Sequence, residues 1–196
     1  MLSSRTNVRD LRKISPRGRN DSKDDDFFAI QPYAGDKKCG CIEDDNINQD
    51  LYFDDVNVGD SIPSREYGPL TIVDTVRWAG LQENTQHLHY DRDHVREHNG
   101  LPTFIASGAY RQALLIRTLT DWIGPRGWLR KISIRHTYST FEGDFMNFSG
   151  RVIEKSLDPS DSWITCDLDG KNQGDKQILT GRCTLILPRR ATTVSI

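Results

Sequence analysis

Apolar residues recur along this chain with two different periods, and the change between them marks its organisation. From Ser107 to Trp122, the residues Ala109, Tyr110, Ala113, Leu114, Ile116, Leu119 and Trp122 fall at steps of three and four around most of a helical surface. That is the pattern of a long, deeply buried helix, and Gly124-Pro125 ends it. Beyond it the period drops to two: Ile132, Ile134, His136 and Tyr138; Met146, Phe148 and Val152; Ile164, Cys166 and Leu168; Leu179, Cys183, Leu185 and Leu187. Each set reads as a strand with one buried face. Turn residues stand between them at Glu142-Gly143-Asp144, Asp158-Pro159-Ser160 and Asp169-Gly170.

Upstream, Leu51-Tyr52-Phe53 followed by Val58-Gly59-Asp60 gives a strand and turn signal. Thr71 with Asp74 three positions on is a capping pattern, and Val73, Val76, Trp78 and Leu81 follow at helical spacing, so a helix is predicted over residues 71–82. A short polar helix over residues 91–98, stopped by Asn99-Gly100, serves as a cover. One buried helix followed by strands on short turns predicts an α+β fold, an antiparallel sheet wrapped around a long central helix. With no βαβ alternation, a Rossmann-like arrangement is disfavoured.

Residues 1–48 hold few large apolar side chains and blocks of charge such as Asp24-Asp25-Asp26, too little apolar surface to offset chain entropy. They are expected to form a disordered or flexible tail ahead of one ordered domain over residues 49–190. The tail opens with Arg5, Arg9, Arg12, Lys13, Arg17 and Arg19 against the single acid Asp10. This is faintly like a mitochondrial presequence, although a solvated tail in a cytoplasmic protein is the plainer reading. Charge is balanced, 26 Lys+Arg against 28 Asp+Glu, which gives no global case for nucleic acid. No apolar run approaches the roughly 20 residues of a membrane helix. Cys39-Gly40-Cys41 lacks a second pair at metal spacing, and Cys166 and Cys183 alternate with strand residues as small core positions.

The densest chemistry is the run Glu83-Asn84-Thr85-Gln86-His87-Leu88-His89-Tyr90-Asp91, where a helix passes into a loop. An imidazole titrates near neutrality and can take a proton from water, and a neighbouring amide or carboxylate can hold that water. This run, together with Gly100-Leu101-Pro102, Ser107-Gly108, Leu114-Leu115, Asp121-Trp122-Ile123-Gly124-Pro125, Gly143-Asp144 and Leu187-Pro188, resembles the MaoC-like acyl-CoA hydratase/dehydratase family.

The resemblance implies a hotdog fold, a homodimer or heterodimer, and addition or removal of water across the C2–C3 double bond of an acyl thioester, carried by coenzyme A or an acyl carrier protein, without a further cofactor. It makes His89 the general base/acid. The family's aspartate, five positions before its histidine, is Asn84 here, and an amide cannot exchange a proton with water at neutral pH. Three arrangements can restore the chemistry: Glu83 swings in, His89 acts alone with Asn84 holding the hydroxyl, or a second subunit supplies the acid. The second is preferred. Gly108 matches the glycine whose N–H faces the thioester carbonyl, at a helix N-terminus that stabilises an enolate oxygen. Ser107, Tyr90, His87 and Asp91 are the accompanying substrate-binding candidates.

Other signals carry less. His94-Val95-Arg96-Glu97-His98 fits the inverted zinc-protease pattern, but a solvated helix face explains it and no metal is expected. His136 shares the parity of Ile132 and Ile134 and is expected as a hydrogen-bonded core histidine. An acyl-CoA thioesterase using Glu83, and a non-catalytic acyl-CoA-binding or partner subunit, are the alternative functions.

Overall fold

The structure, a computed structural model, describes residues 51–157 and 162–190. The expected tail over residues 1–48 and the turn at Asp158-Pro159-Ser160 lie outside the described residues. In chain order the elements are β1 (Ser61–Tyr67), α1 (Ile72–Leu81), α2 (Arg92–His94, continuing as a single π-turn over Val95–Asn99), α3 (Gly108–Ile123), β2 (Trp128–His136), β3 (Met146–Leu157), β4 (Ser162–Asn172) and β5 (Gln177–Ile186). The strands form one antiparallel sheet in the order β1-β3-β4-β5-β2, and α3 packs on its apolar face.

Helix α3 begins where Ser107, in extended conformation, accepts the Tyr110 N–H on its side-chain oxygen, and it stops at Gly124, whose φ of 73° favours glycine. Its buried stripe, Leu115, Leu119 and Ile123, meets Phe148, Val152, Ile164, Cys166, Leu179, Cys183 and Leu185 from the sheet, none more than 1% exposed. Burial of this kind contributes about 1.5–3 kcal/mol per large side chain and is the main force closing sheet on helix. Cys166 and Cys183 are cross-strand neighbours in that core, as free thiols. Among the described residues no helix is long and apolar enough to cross a membrane.

Four expectations need correction. The segment at Leu51-Tyr52-Phe53 does not form a strand; Phe53–Asp55 is a 3₁₀ turn that buries Phe53 and ties its N–H to the Pro188 carbonyl at 2.9 Å. The sheet has a further strand, β1, whose sequence hides it: Ile62 is its one buried residue and Pro63 follows at once, a combination compatible with an edge strand. Asp169-Gly170 is not a turn but lies inside β4, where Gly170 pairs with both Leu179 and Phe148. A Cβ on Gly170 would stand 2.7 Å from Leu179 Cγ, so close packing rather than turning selects glycine; the chain reverses later, where Asn172 Oδ1 accepts the Gly174 and Lys176 N–H groups. Finally, α1 has the predicted bounds and capping box but turns Thr75 and Ala79 inward, leaving Val73, Val76 and Leu81 exposed.

The polar α2 covers the core with Val95, which is fully buried, and is clamped from outside. Arg92 donates from Nε to Glu142 Oε2 at 2.8 Å and from Nη2 to Oε1, and Thr103 Oγ1 donates to the same carboxylate. The Arg92 hydrogen bonds hold the Glu142 carboxyl at about 2, below its ordinary 4.5. A folded-state value below the unfolded one stabilises fully above the unfolded value and is lost as the acid is protonated. The clamp is therefore expected to weaken as pH falls from 4.5 towards about 2. Because both partners are partly exposed, Glu142→Gln should cost only about 1–2 kcal/mol at neutral pH and flatten the acid limb of a series of melting curves; an unchanged acid limb would contradict the assignment.

Candidate functional site

The chain leaves α1 by reversing at Glu83, whose φ of 52° lies in the left-handed region, and the next amide, Asn84 N–H, returns to the Ala79 carbonyl at 2.9 Å. Asn84 Oδ1 then accepts the Gln86 N–H at 3.0 Å, an Asx turn. The consequence is chemical as well as structural: with the oxygen held by the backbone, the amide presents its NH₂ end as a donor. After the 3₁₀ turn His87–His89, the His89 ring points Nδ1 at the Ile105 carbonyl, 3.0 Å away. A carbonyl can only accept, so Nδ1 carries the proton and neutral His89 keeps its lone pair on Nε2.

Asn84 and His89 meet Ser107 and Tyr110 of the α3 start, and Thr75, Trp78 and Ala79 of α1, around one narrow cavity that is closed down in this structure, with no room for a water molecule. Ser107 is spent as the N-cap. Gly108, the first helical residue, is not among the residues lining the cavity; its N–H stands at a position that has no acceptor within the helix. Trp78 and Tyr110 close the cavity with rings 5.5 Å apart at 56°. Trp78 Nε1 is buried and, among the described residues, has no hydrogen-bond partner.

Not every expected residue reaches this cavity. Glu83 is exposed and is not among the lining residues. His87 stands on the outer side, its Nδ1 3.1 Å from Asp91 Oδ2, with its ring tilted against His94, which in turn stacks on His98. Asp91 is the α2 N-cap; the His94 N–H and then His87 hold its carboxyl below the usual carboxylate range. Tyr90 donates its hydroxyl to the Thr85 carbonyl. Asp91 and Tyr90 thus brace the loop that carries His89. His136 is not a core histidine: it lies at the exposed end of β2, with its ring over Gly108. Thr75, Trp78 and Tyr110 were readable only as helix positions, since nothing in the local sequence says that α1 lies against α3.

No family model and no curated protein matches the chain. Among solved structures it is similar to the R-hydratase PhaJ1 from Pseudomonas aeruginosa, at 20% identity over 73% of this chain and 89% of that one, with a TM-score of 0.65. It is also similar to the MaoC-like dehydratase from Rhodospirillum rubrum, at 22% identity over 71% and 98% with a TM-score of 0.62. A chain of the ChsH1–ChsH2 complex from Mycobacterium tuberculosis aligns at 24% identity over 67% and 98%, with a TM-score of 0.60.

Proposed function

We propose that this chain, which has the hotdog fold shared by MaoC-like dehydratases and R-hydratases, is itself a hydro-lyase that adds water to, or removes it from, the C2–C3 double bond of an acyl thioester. The observation that carries the reading is that His89, with its Nε2 left free by the Nδ1 hydrogen bond, and Asn84 line one cavity together with Ser107, the residue that caps α3. In the hydration direction His89 Nε2 takes a proton from water as the oxygen bonds to C3. Electrons move through the conjugated system to the thioester oxygen, where the Gly108 N–H and the positive end of α3 stabilise them. His89 then returns the proton to C2. Asn84 holds the attacking oxygen through its NH₂ and takes no proton itself, so one imidazole performs both transfers.

The unpaired Trp78 N–H is a donor that a bound substrate or water oxygen would satisfy. Trp78→Phe keeps the ring and removes only that donor; it is expected to raise KM for crotonyl-CoA about 10-fold, the worth of roughly one hydrogen bond, with the melting temperature retained. Steady-state kinetics read this directly. The exposed edge of β2, with Trp128 67% exposed, favours assembly into a homodimer or with a related chain.

The reading is tested by incubating the pure protein with enoyl-CoAs of increasing length and following both loss of the double bond and release of thiol. Hydration without thiol release is expected. Thiol release would favour a thioesterase, a role for which Glu83 is turned away from the cavity. Binding without turnover would favour a partner subunit, the one alternative with an observation behind it, the missing carboxylate at Asn84.

A further inference from the structure

A Cβ built on Gly108 would stand 3.0 Å from His136 Nε2 and 3.2 Å from Cδ2, so the absent side chain is what lets the imidazole lie against the start of α3. The backbone nitrogen is about 2.5 Å from that Cβ position, which puts Nε2 within about 5.5 Å of Gly108 N. That separation is one a single bridging oxygen can span. Pairing of His136 with Leu179 fixes this end of β2 in the sheet, while the ring itself remains open to an incoming ligand.

Behind the ring lies Arg111, 6% exposed. Its Nη1 donates to the Tyr138 carbonyl at 2.5 Å and the Ile178 carbonyl at 3.4 Å, its Nε is unpaired, and among the described residues no carboxylate faces it. A buried cation with no counter-ion is costly to keep, and here it adds positive potential to the helix end where the thioester oxygen would gain charge. Burial, and then the Arg111 charge, hold His136 below the ordinary imidazole value. The ring therefore stays neutral at neutral pH and keeps one N–H to donate, the form in which a histidine beside a helix N-terminus polarises a carbonyl.

We propose that His136 is a second oxyanion donor, its Nε2–H and the Gly108 N–H together binding the thioester carbonyl oxygen. The inference rests on the hydratase reading and deepens it. His89 moves the proton, His136 holds the carbonyl, and Arg111 acts as a positioning residue for the latter.

The test uses the full chain with butyryl-CoA labelled with ¹³C at the carbonyl, a saturated thioester that cannot be hydrated, alongside crotonyl-CoA turnover. Binding to the native protein is expected to move the carbonyl resonance downfield. His136→Ala should abolish most of that shift and lower kcat about 10²-fold with little change in KM. His136→Gln, which can return an N–H near the same place, should restore part of both, and circular dichroism should show all three proteins folded. An unchanged shift and rate in His136→Ala overturns the second donor and leaves the hydratase reading standing. A shift that depends on His136 in a protein that never hydrates crotonyl-CoA upholds the donor and overturns the hydratase reading. A native chain that binds neither thioester overturns both.

Discussion

His89→Ala is expected to lower kcat for crotonyl-CoA hydration by about 10²–10⁴-fold, the usual worth of a positioned general acid–base. The size follows from the absence of a deputy. Asn84 cannot carry a proton, Glu83 beside it is exposed, Asp91 is engaged as the α2 N-cap, and neither carboxylate is among the residues lining the cavity. The loss should fall on kcat rather than KM, because the imidazole acts on water and C2 rather than on the carrier. Among the described residues the ring's one hydrogen bond is to the Ile105 carbonyl, so the melting temperature should drop by only a few degrees, in keeping with about 1 kcal/mol. Rate and melting curve measured on one preparation separate the two effects, and a variant that retains the native rate would remove His89 from the chemistry.

The largest stability effect is expected from Leu119→Ala. Leu119 is fully buried on the face of α3 that meets the sheet. Removing it deletes apolar contacts and leaves a cavity between two rigid layers, a loss of about 2–5 kcal/mol, or a melting temperature lower by roughly 10 °C. Since Leu119 lies three turns from Gly108, the surviving folded fraction should hydrate at the native kcat. A drop in kcat that persists well below the melting range would contradict this separation of core from site.

Periodicity revealed the central helix and the strands that follow it because those elements bury one face against each other. It failed where burial and polarity part company. Strand β1 has one buried side chain and a proline, and the outward residues of α1 are apolar while its inward ones are Thr75 and Ala79. His89, Asn84 and Ser107 were legible as chemistry, and the structure brings them to one cavity. Asp91 and His87, equally reactive on paper, are engaged with each other and with the α2 cap. His136 was misplaced by strand parity, which cannot show that a glycine on another element opens room for its ring.

The most direct test of the central claim is to incubate crotonyl-CoA with the pure protein in D₂O and follow the product by mass spectrometry and NMR. Intact 3-hydroxybutyryl-CoA carrying a single solvent deuteron on C2 is expected from the native protein and should disappear in His89→Ala. Unaltered crotonyl-CoA, or free acid with released coenzyme A, would contradict it.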